Sequence, residues 1–505
     1  MLTRRLLLAA MALLSAIVFI HAQGPVLAII GGTVIDGNGG APVTNAVIIV
    51  EEDRIADIGA SGAVAVPAGA QIVDAKGKWI VPGLIDTNVH LSLYGGMNER
   101  YESLVRYYPR ARDIALEAAQ IDLAHGVTTV RDSYGMLRPL VEARDLIRTG
   151  KAIGPRILAA GNIVGWSGPY SVTFSLTRPA GLTLFQEQMN DEVAQGAGQE
   201  LMSMTLDELR LAIDSYIDKG PDFIKYGGTS HFSDPTFIGF SPEAQRVIVE
   251  EAHKRGRVAE THATSIEGLR LAIEAGIDLI QHPEVIDEHE IPDALVAAIH
   301  DRKIVCSMLV STMTGEAWQK HLDDRKAAEK KRAEQVKKGQ LPERARTTLE
   351  QRKINEDLGL DLELRRKNAE KLIRGGCITT VGTDSYWAAA PELTRQPKPE
   401  NQDHGIGTIL AIEGLVELGM TPAQAIVAGT KNGAIASRQL NEYGTLERGK
   451  AADLVILGAD PLADIRALRK VERVIKAGRL IDREALPLAR VLSRPRSSGT
   501  GTGQP

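Results

Sequence analysis

After Pro82 the chain alternates short apolar runs with helical stretches, and this alternation restricts its possible folds more than any other feature. Leu84–Asn88, Val127–Val130, Arg156–Ala160, Phe223–Tyr226, Val258–Thr261, Leu279–Gln281, Val305–Val310 and Thr379–Gly382 read as strands. Alternation of this kind predicts parallel strands with helices outside them. Eight strands is the number that closes a TIM-type (β/α)8 barrel, a fold of about 250 residues that accepts long insertions in the loops above its strands. Both ends of the chain read differently. Leu27 to Ile80 carries short strands with turn chemistry between them, as in Ala46–Val50, Glu51–Arg54 and Ile55–Ile58. Past Tyr443 the same pattern returns in Ala452–Leu457 and in the hairpin-like Val474–Leu480 around Lys476-Ala477-Gly478. The expected architecture is α/β: a barrel over residues 81–440 and a small β-sandwich built from 23–80 and 441–485.

With 505 residues, 44% of them hydrophobic and 24% charged, the chain can fill a large core, which excludes disorder of the whole. The net charge of -5 is spread among interspersed signs, so no global field steers it to nucleic acid or an anionic membrane. A small-molecule or peptide-like ligand is the expected partner. Arg4 and Arg5 precede the apolar run Leu6 to Ile20, and Ala22 offers a small residue for cleavage. This predicts an export signal over 1–22, a mature protein beginning near Gln23 and a periplasmic or secreted location. The Arg pair also permits a twin-arginine route. A run of about 15 residues falls short of the roughly 20 that span a bilayer, so no membrane association is expected once the signal is removed.

Cys306 and Cys377 are the two cysteines; both lie in apolar strand-like runs and read as small buried core residues, not as a disulfide framework. Two stretches exceed ordinary loop length. Residues 161–204 carry Trp166, Tyr170, Phe174 and Phe185, while 316–374 is dense in Lys, Arg, Glu and Gln and predicts one or two exposed helices inserted before the eighth strand. Residues 486–505, rich in Ser, Gly, Pro and Thr from Ser493 onward, are expected to form a disordered tail.

The chemistry is distributed, and its members fall at the carboxyl ends of predicted barrel strands, where such folds place reactive groups. His90 follows the first strand, Lys225 ends the fourth in Asp222-Phe223-Ile224-Lys225-Tyr226, His262 and His282 follow the fifth and sixth, and Asp384 follows the eighth in Gly382-Thr383-Asp384. Neutral imidazoles bind borderline metals such as zinc, and a carboxylate adds charge without closing the site to water. That inventory suits metal-assisted hydrolysis. A lysine ending an apolar strand needs explaining, because a buried ammonium costs several kcal/mol unless it is paired or neutralised. Either it is salt-bridged to Glu260 or Asp384, or it acts as a ligand. Tyr226 should point to the opposite face from Lys225 unless the strand ends there. With His231 and His404, it is a candidate substrate contact.

The run Val81-Pro82-Gly83-Leu84-Ile85-Asp86, the second-strand run Gly126-Val127-Thr128-Thr129-Val130-Arg131-Asp132, the two histidines, Gly382-Thr383-Asp384 and the C-terminal Gly444-Thr445-Leu446-Glu447-Arg448-Gly449-Lys450-Ala451-Ala452-Asp453-Leu454-Val455 together resemble the amidohydrolase superfamily, in its imidazolonepropionase and prolidase-like branch. The likeness covers about Leu27 to Asp482. It implies that Lys225 reacts with CO2 to give an anionic carbamate, and that His262, His282 and this carbamate hold one metal. It also implies that the strand-one histidines, the carbamate and Asp384 hold another. The superfamily's strand-one motif is His-x-His, whereas this chain has Asn88-Val89-His90. An amide oxygen is a harder and weaker donor than imidazole. Asn88 is then a poor or outer-shell ligand in a two-metal site, or the site works with the His262/His282 metal alone, or catalysis is lost. The expectations are one or two divalent metals per chain, Zn2+ by donor set, Asp384 as proton carrier, and a homo-oligomer as in other members. The expected reaction is hydrolysis of an amide C–N bond in a dipeptide or N-acyl amino acid, with a cyclic amide or a non-catalytic barrel as alternatives.

Overall fold

The computed structural model describes residues 26–493 apart from 93–97, 169, 172, 174–180, 232–235, 287–288, 343, 388–389 and 395–397. The expected export signal and Phe174 lie outside the described residues.

Both ends of the chain meet in one β domain. Strands β1 (Leu27–Val34), β2 (Val43–Glu51), β3 (Arg54–Ala60), β4 (Gln71–Asp74) and β5 (Trp79–Pro82) come from the start. Strands β15 (Leu454–Leu457), β16 (Val471–Lys476) and β17 (Arg479–Ile481) come from the end. They form a single eight-stranded sheet in the order β17-β16-β15-β5-β1-β2-β3, with β4 on β1. The ladder β5–β15 joins the two halves edge to edge, and one core packs Ile48, Val50 and Ile55 of the first half with Leu454, Ile456 and Ile475 of the second. The expected hairpin at Lys476-Ala477-Gly478 forms, with Ala477 and Gly478 at φ 48° and 73°. That pair of positive angles is the twist that favours a two-residue turn. At the junction with the next strand Gly83 is required by space, since a Cβ there would lie 2.1 Å from Thr128 Oγ1.

The eight strands that follow are all parallel and largely buried, with Arg156 and Leu158 of one of them half-buried. They are β6 (Leu84–His90), β7 (Val127–Asp132), β8 (Arg156–Ala159), β9 (Ile224–Gly227), β10 (Ala259–His262), β11 (Leu279–Gln281), β12 (Val305–Met308) and β13 (Ile378–Val381). Their β-branched runs, such as Val-Thr-Thr-Val and Ile-Thr-Thr-Val, suit strands covered on both faces. They pair as two arcs, β6-β7-β8 and β9 through β13, not as one unbroken ladder. The short β14 (Ser385–Tyr386), on the run leaving β13, pairs with β6, and a lone bridge from Val164 to Tyr226 joins the region after β8 to β9. Helices alternate with the strands as expected. Several begin at side-chain caps, as where Thr205 and Glu208 close a reciprocal capping box before Leu206–Ile217.

Three sequence expectations change. The insertion before β13 holds three helices, Gly315–Lys337, Thr348–Asp357 and Leu360–Arg374; the first buries none of its residues, as its charge density implied. The start of the expected tail is ordered: Leu486 and Leu492 are buried, and the Glu117 carboxylate accepts from the amides of Val491, Leu492 and Ser493, each at 2.9 Å. Cys306 and Cys377 form a disulfide with Cα atoms 6.4 Å apart across 71 residues. Its cause is register, because β12 and β13 are neighbours and Cys306 lies opposite Thr379, two residues past Cys377. Such adjacency is invisible in a linear sequence. Among the described residues, no helix is long and apolar enough to cross a membrane.

Candidate active site

Because every strand of the two arcs runs the same way, their carboxyl ends converge, and five of the predicted residues meet there. His262 ends β10, His282 follows β11, His90 ends β6, Lys225 lies in β9, and Asp384 sits between β13 and β14. His282 and Asp384 both have positive φ, at 36° and 54°. For residues with a side chain this costs about 1–3 kcal/mol each, and such strain persists where the surrounding structure over-determines it.

Two pairs of donor atoms approach each other. His262 Nδ1 lies 3.2 Å from His282 Nε2, and the far nitrogens, His262 Nε2 and His282 Nδ1, are buried without a hydrogen-bond partner. Two ligand atoms each about 2.0–2.1 Å from one tetrahedral zinc ion stand roughly 3.3–3.4 Å apart, so this edge fits one metal. Burial drives the pKa of His262 well below its ordinary value and that of His282 down to about 4, which leaves both imidazoles neutral near pH 7. On the other side Asp384 Oδ1 accepts from Asn88 Nδ2 at 2.8 Å and lies 2.9 Å from His90 Nε2. The His90 Nδ1 faces the Tyr134 carbonyl at 3.0 Å, and since a carbonyl only accepts, Nδ1 carries a proton and Nε2 is turned to the site. Burial alone would raise the Asp384 carboxyl. The surrounding His90, His282 and Lys225 nevertheless hold it below the ordinary carboxylate value. Asn88 is 1% exposed, and its Oδ1 has no partner. Among the described residues, no three His, Cys, Asp or Glu side chains form a ligand cluster by themselves. Each pair therefore needs a further donor.

Lys225 is 2% exposed and has no ion-pair partner among the described residues. Both carboxylates that could have paired with it are engaged: Glu260 with Arg131 at 2.6 Å and with Gln281 at 2.9 Å, and Asp384 with His90. Burial lowers the Lys225 pKa, and Glu260, Asp384 and Asp132 oppose this only in part.

The three weaker candidates separate. His231 stands at the mouth, stacked on His262 with ring centroids 5.8 Å apart, and Trp166 meets both rings edge-on at 5.8 and 5.2 Å. Tyr226 is corrected: it lies on the opposite face of β9 from Lys225, as strand alternation allows, and donates to Gln245 Oε1 at 3.1 Å beneath Phe240. Tyr226→Phe is accordingly expected to leave turnover within about twofold while costing roughly 1 kcal/mol of stability for the lost buried hydrogen bond, measured by steady-state kinetics and denaturant unfolding. His404 is also corrected, since it is 5% exposed and faces Ser385 and Asp122 behind Asp384 instead of the mouth.

The sequence did not reveal three buried polar residues around the site. Asp86 accepts from Thr383, Thr408 and the Asn88 amide, and burial raises its carboxyl to about 7. Glu284 accepts from the Leu309 amide at 2.6 Å. Arg131, 1% exposed and lying 3.8 Å over the Phe223 ring, neutralises Glu260. Arg131 carried the same signal as Lys225, a cation closing an apolar strand.

A model of the amidohydrolase family matches residues 79–481. The chain belongs to the amidohydrolase family. Among solved structures, molinate hydrolase is 31% identical, with 95% of this chain and 100% of that one covered at a TM-score of 0.81. Phenylurea hydrolase B is also 31% identical, covering 93% and 100% at the same TM-score of 0.81. The ochratoxinase of Aspergillus niger is 26% identical over 480 residues, 91% of this chain and 87% of that protein. This amidohydrolase is a hydrolase of carbon–nitrogen bonds, and the family generally uses divalent metal.

Proposed function

We propose that this chain hydrolyses the C–N bond of a small amide- or urea-type carbonyl compound at a metal held by His262 and His282. The observation that carries this is the edge of two neutral imidazole nitrogens 3.2 Å apart beside Asp384. Bound there, a divalent ion, zinc by its donors, would lower the pKa of water to near neutrality and polarise a carbonyl. Lys225 would complete the set as its carbamate. Burial favours the neutral amine that reacts with CO2, and the resulting anion would place a negative donor beside the histidines. Asp384, kept ionised, is the base that takes the attacking water's proton and then delivers it to the leaving nitrogen. Asn88 presents its amide N–H to Asp384 and so orients that carboxylate.

His231, exposed and stacked on His262, with buried Trp166 packed edge-on against both rings, favours a carbonyl carrying an aromatic or other apolar substituent. Dipeptides and N-acyl amino acids with apolar side chains meet that description, and so does a phenylurea, the compound named for one relative. Export remains part of the proposal: a buried disulfide is at home in an oxidising compartment, which agrees with the leader-like first 22 residues. The test is turnover of N-acyl amino acid, dipeptide and phenylurea panels in H2(18)O, with and without chelator. The reading expects 18O in the carbonyl product and loss of turnover on chelation, restored by zinc with bicarbonate. Turnover that survives complete metal removal would contradict it.

A further inference from the structure

Asp384 is held in its left-handed conformation from both sides. Upstream, the Thr383 amide and hydroxyl donate to the two oxygens of buried Asp86 at 3.2 and 2.8 Å. The Asp384 amide donates to the Asn88 carbonyl at 2.8 Å. Downstream, Ser385 Oγ is hydrogen-bonded to His404 Nδ1 at 3.1 Å, and the same nitrogen lies 3.6 Å from Asp122 Oδ2. His404 and Asp122 are 5% and 1% exposed. Nothing in the proposed chemistry uses them, yet they place a histidine and a carboxylate in a dry interior, one residue removed from the group that moves protons.

Local packing fixes this histidine. Gly405, at φ 78°, has the His125 ring where a side chain would go, with an ideal Cβ only 2.4 Å from Nδ1. The helix Ile406–Glu417 starts at once after it. On the other side Trp387 meets the His404 ring with centroids 5.5 Å apart. Asp122 comes from the helix Ala111–Ala124, so the contact ties that helix, through His404, to the short β14 and from there to Asp384. The Asp122 oxygens make no hydrogen bond, and the nearer of them lies 3.6 Å from the imidazole nitrogen.

We infer that His404, backed by Asp122, is a positioning residue: through Ser385 it holds the Asp384 carboxylate in line with His90 and Asn88. This deepens the proposed function and rests on Asp384 as its proton carrier. The left-handed angle at Asp384 carries a strain that the surrounding contacts must hold. Without the Ser385 anchor the carboxylate would swing from a geometry in which a 1 Å displacement is enough to cost about 100-fold in rate. Binding of substrate at His231 would not depend on this anchor.

The experiment compares His404→Leu, His404→Asn and Ser385→Ala in the full-length mature protein. Leucine fills the volume but removes the hydrogen bond, whereas asparagine returns an amide atom at the place of Nδ1. His404→Leu should lower kcat roughly 30- to 100-fold with KM within about twofold. His404→Asn should recover most of the loss. Ser385→Ala should lose as much as His404→Leu, and the double variant no more than either alone, since the two act as one unit. A merely structural role would lower thermal stability without splitting kcat from KM and would give additive losses, either of which overturns the inference. A crystal structure of His404→Leu decides the matter independently of any substrate. Asp384 should leave positive φ and open its 2.9 Å contact with His90. If it stays in place, the anchor is not His404, whatever the activity. If the unmodified protein hydrolyses no C–N substrate, the proposed function fails while this structural arm still reads the anchor.

Discussion

Asp384→Asn is expected to lower kcat by about 10^3-fold or more while the chain stays folded. The substitution keeps the size of the side chain and its ability to accept from Asn88 Nδ2, so the 2.8 Å contact and the surrounding packing survive. What it removes is the negative charge that His90, His282 and Lys225 converge on, and with it the base. A proton carrier alone contributes about 10^2- to 10^4-fold, and loss of charge beside the metal adds to that. Circular dichroism and thermal melting would show the fold intact, and kinetics under saturating substrate would show the loss in kcat. If a folded Asp384→Asn protein turned over within tenfold of the parent, the proton role would belong to another group.

The second large effect concerns stability. Removing the Cys306–Cys377 bond by Cys306→Ala with Cys377→Ala is expected to destabilise the chain by about 4 kcal/mol, from the closure entropy of a 71-residue loop. That loop contains all three helices of the insertion, the first of which buries none of its residues fully. Denaturant unfolding of the parent and double variant measures the difference. Both sulfurs are buried, so thiol reagents should find no reactive thiol in the native parent. Two titratable thiols per unreduced, denatured chain, with equal stability of parent and variant, would mean that the bond is absent.

Much of the scaffold was legible because periodicity and strand composition are local. Leu84–His90, Val127–Asp132, Leu279–Gln281 and Ile378–Val381 fall where alternating apolar runs predicted them, within a residue or two. His90, Lys225, His262, His282 and Asp384 could be assigned to one site because parallel strands must present their carboxyl ends together. Features that depend on which strands become neighbours were not legible. Cys306 meets Cys377 only through the β12–β13 register. Arg131 takes Glu260 away from Lys225 because the chain brings β7 and β10 to the same interior, a long-range choice. His404 was visible as a polar residue in a loop, but its face depended on a glycine at φ 78° and on Asp122 some 280 residues earlier. That the two chain ends join in one hydrogen-bonded sheet through β5 and β15 was not legible either, because strand content alone does not say which strands pair.

The most direct test of the central claim is anomalous diffraction at the zinc edge from crystals of mature protein grown with zinc and bicarbonate. The account predicts a peak bonded to both His262 Nδ1 and His282 Nε2, with density for a carbamate extending from Lys225 toward it. Absence of any peak between the two imidazoles, with Lys225 unmodified, would contradict it.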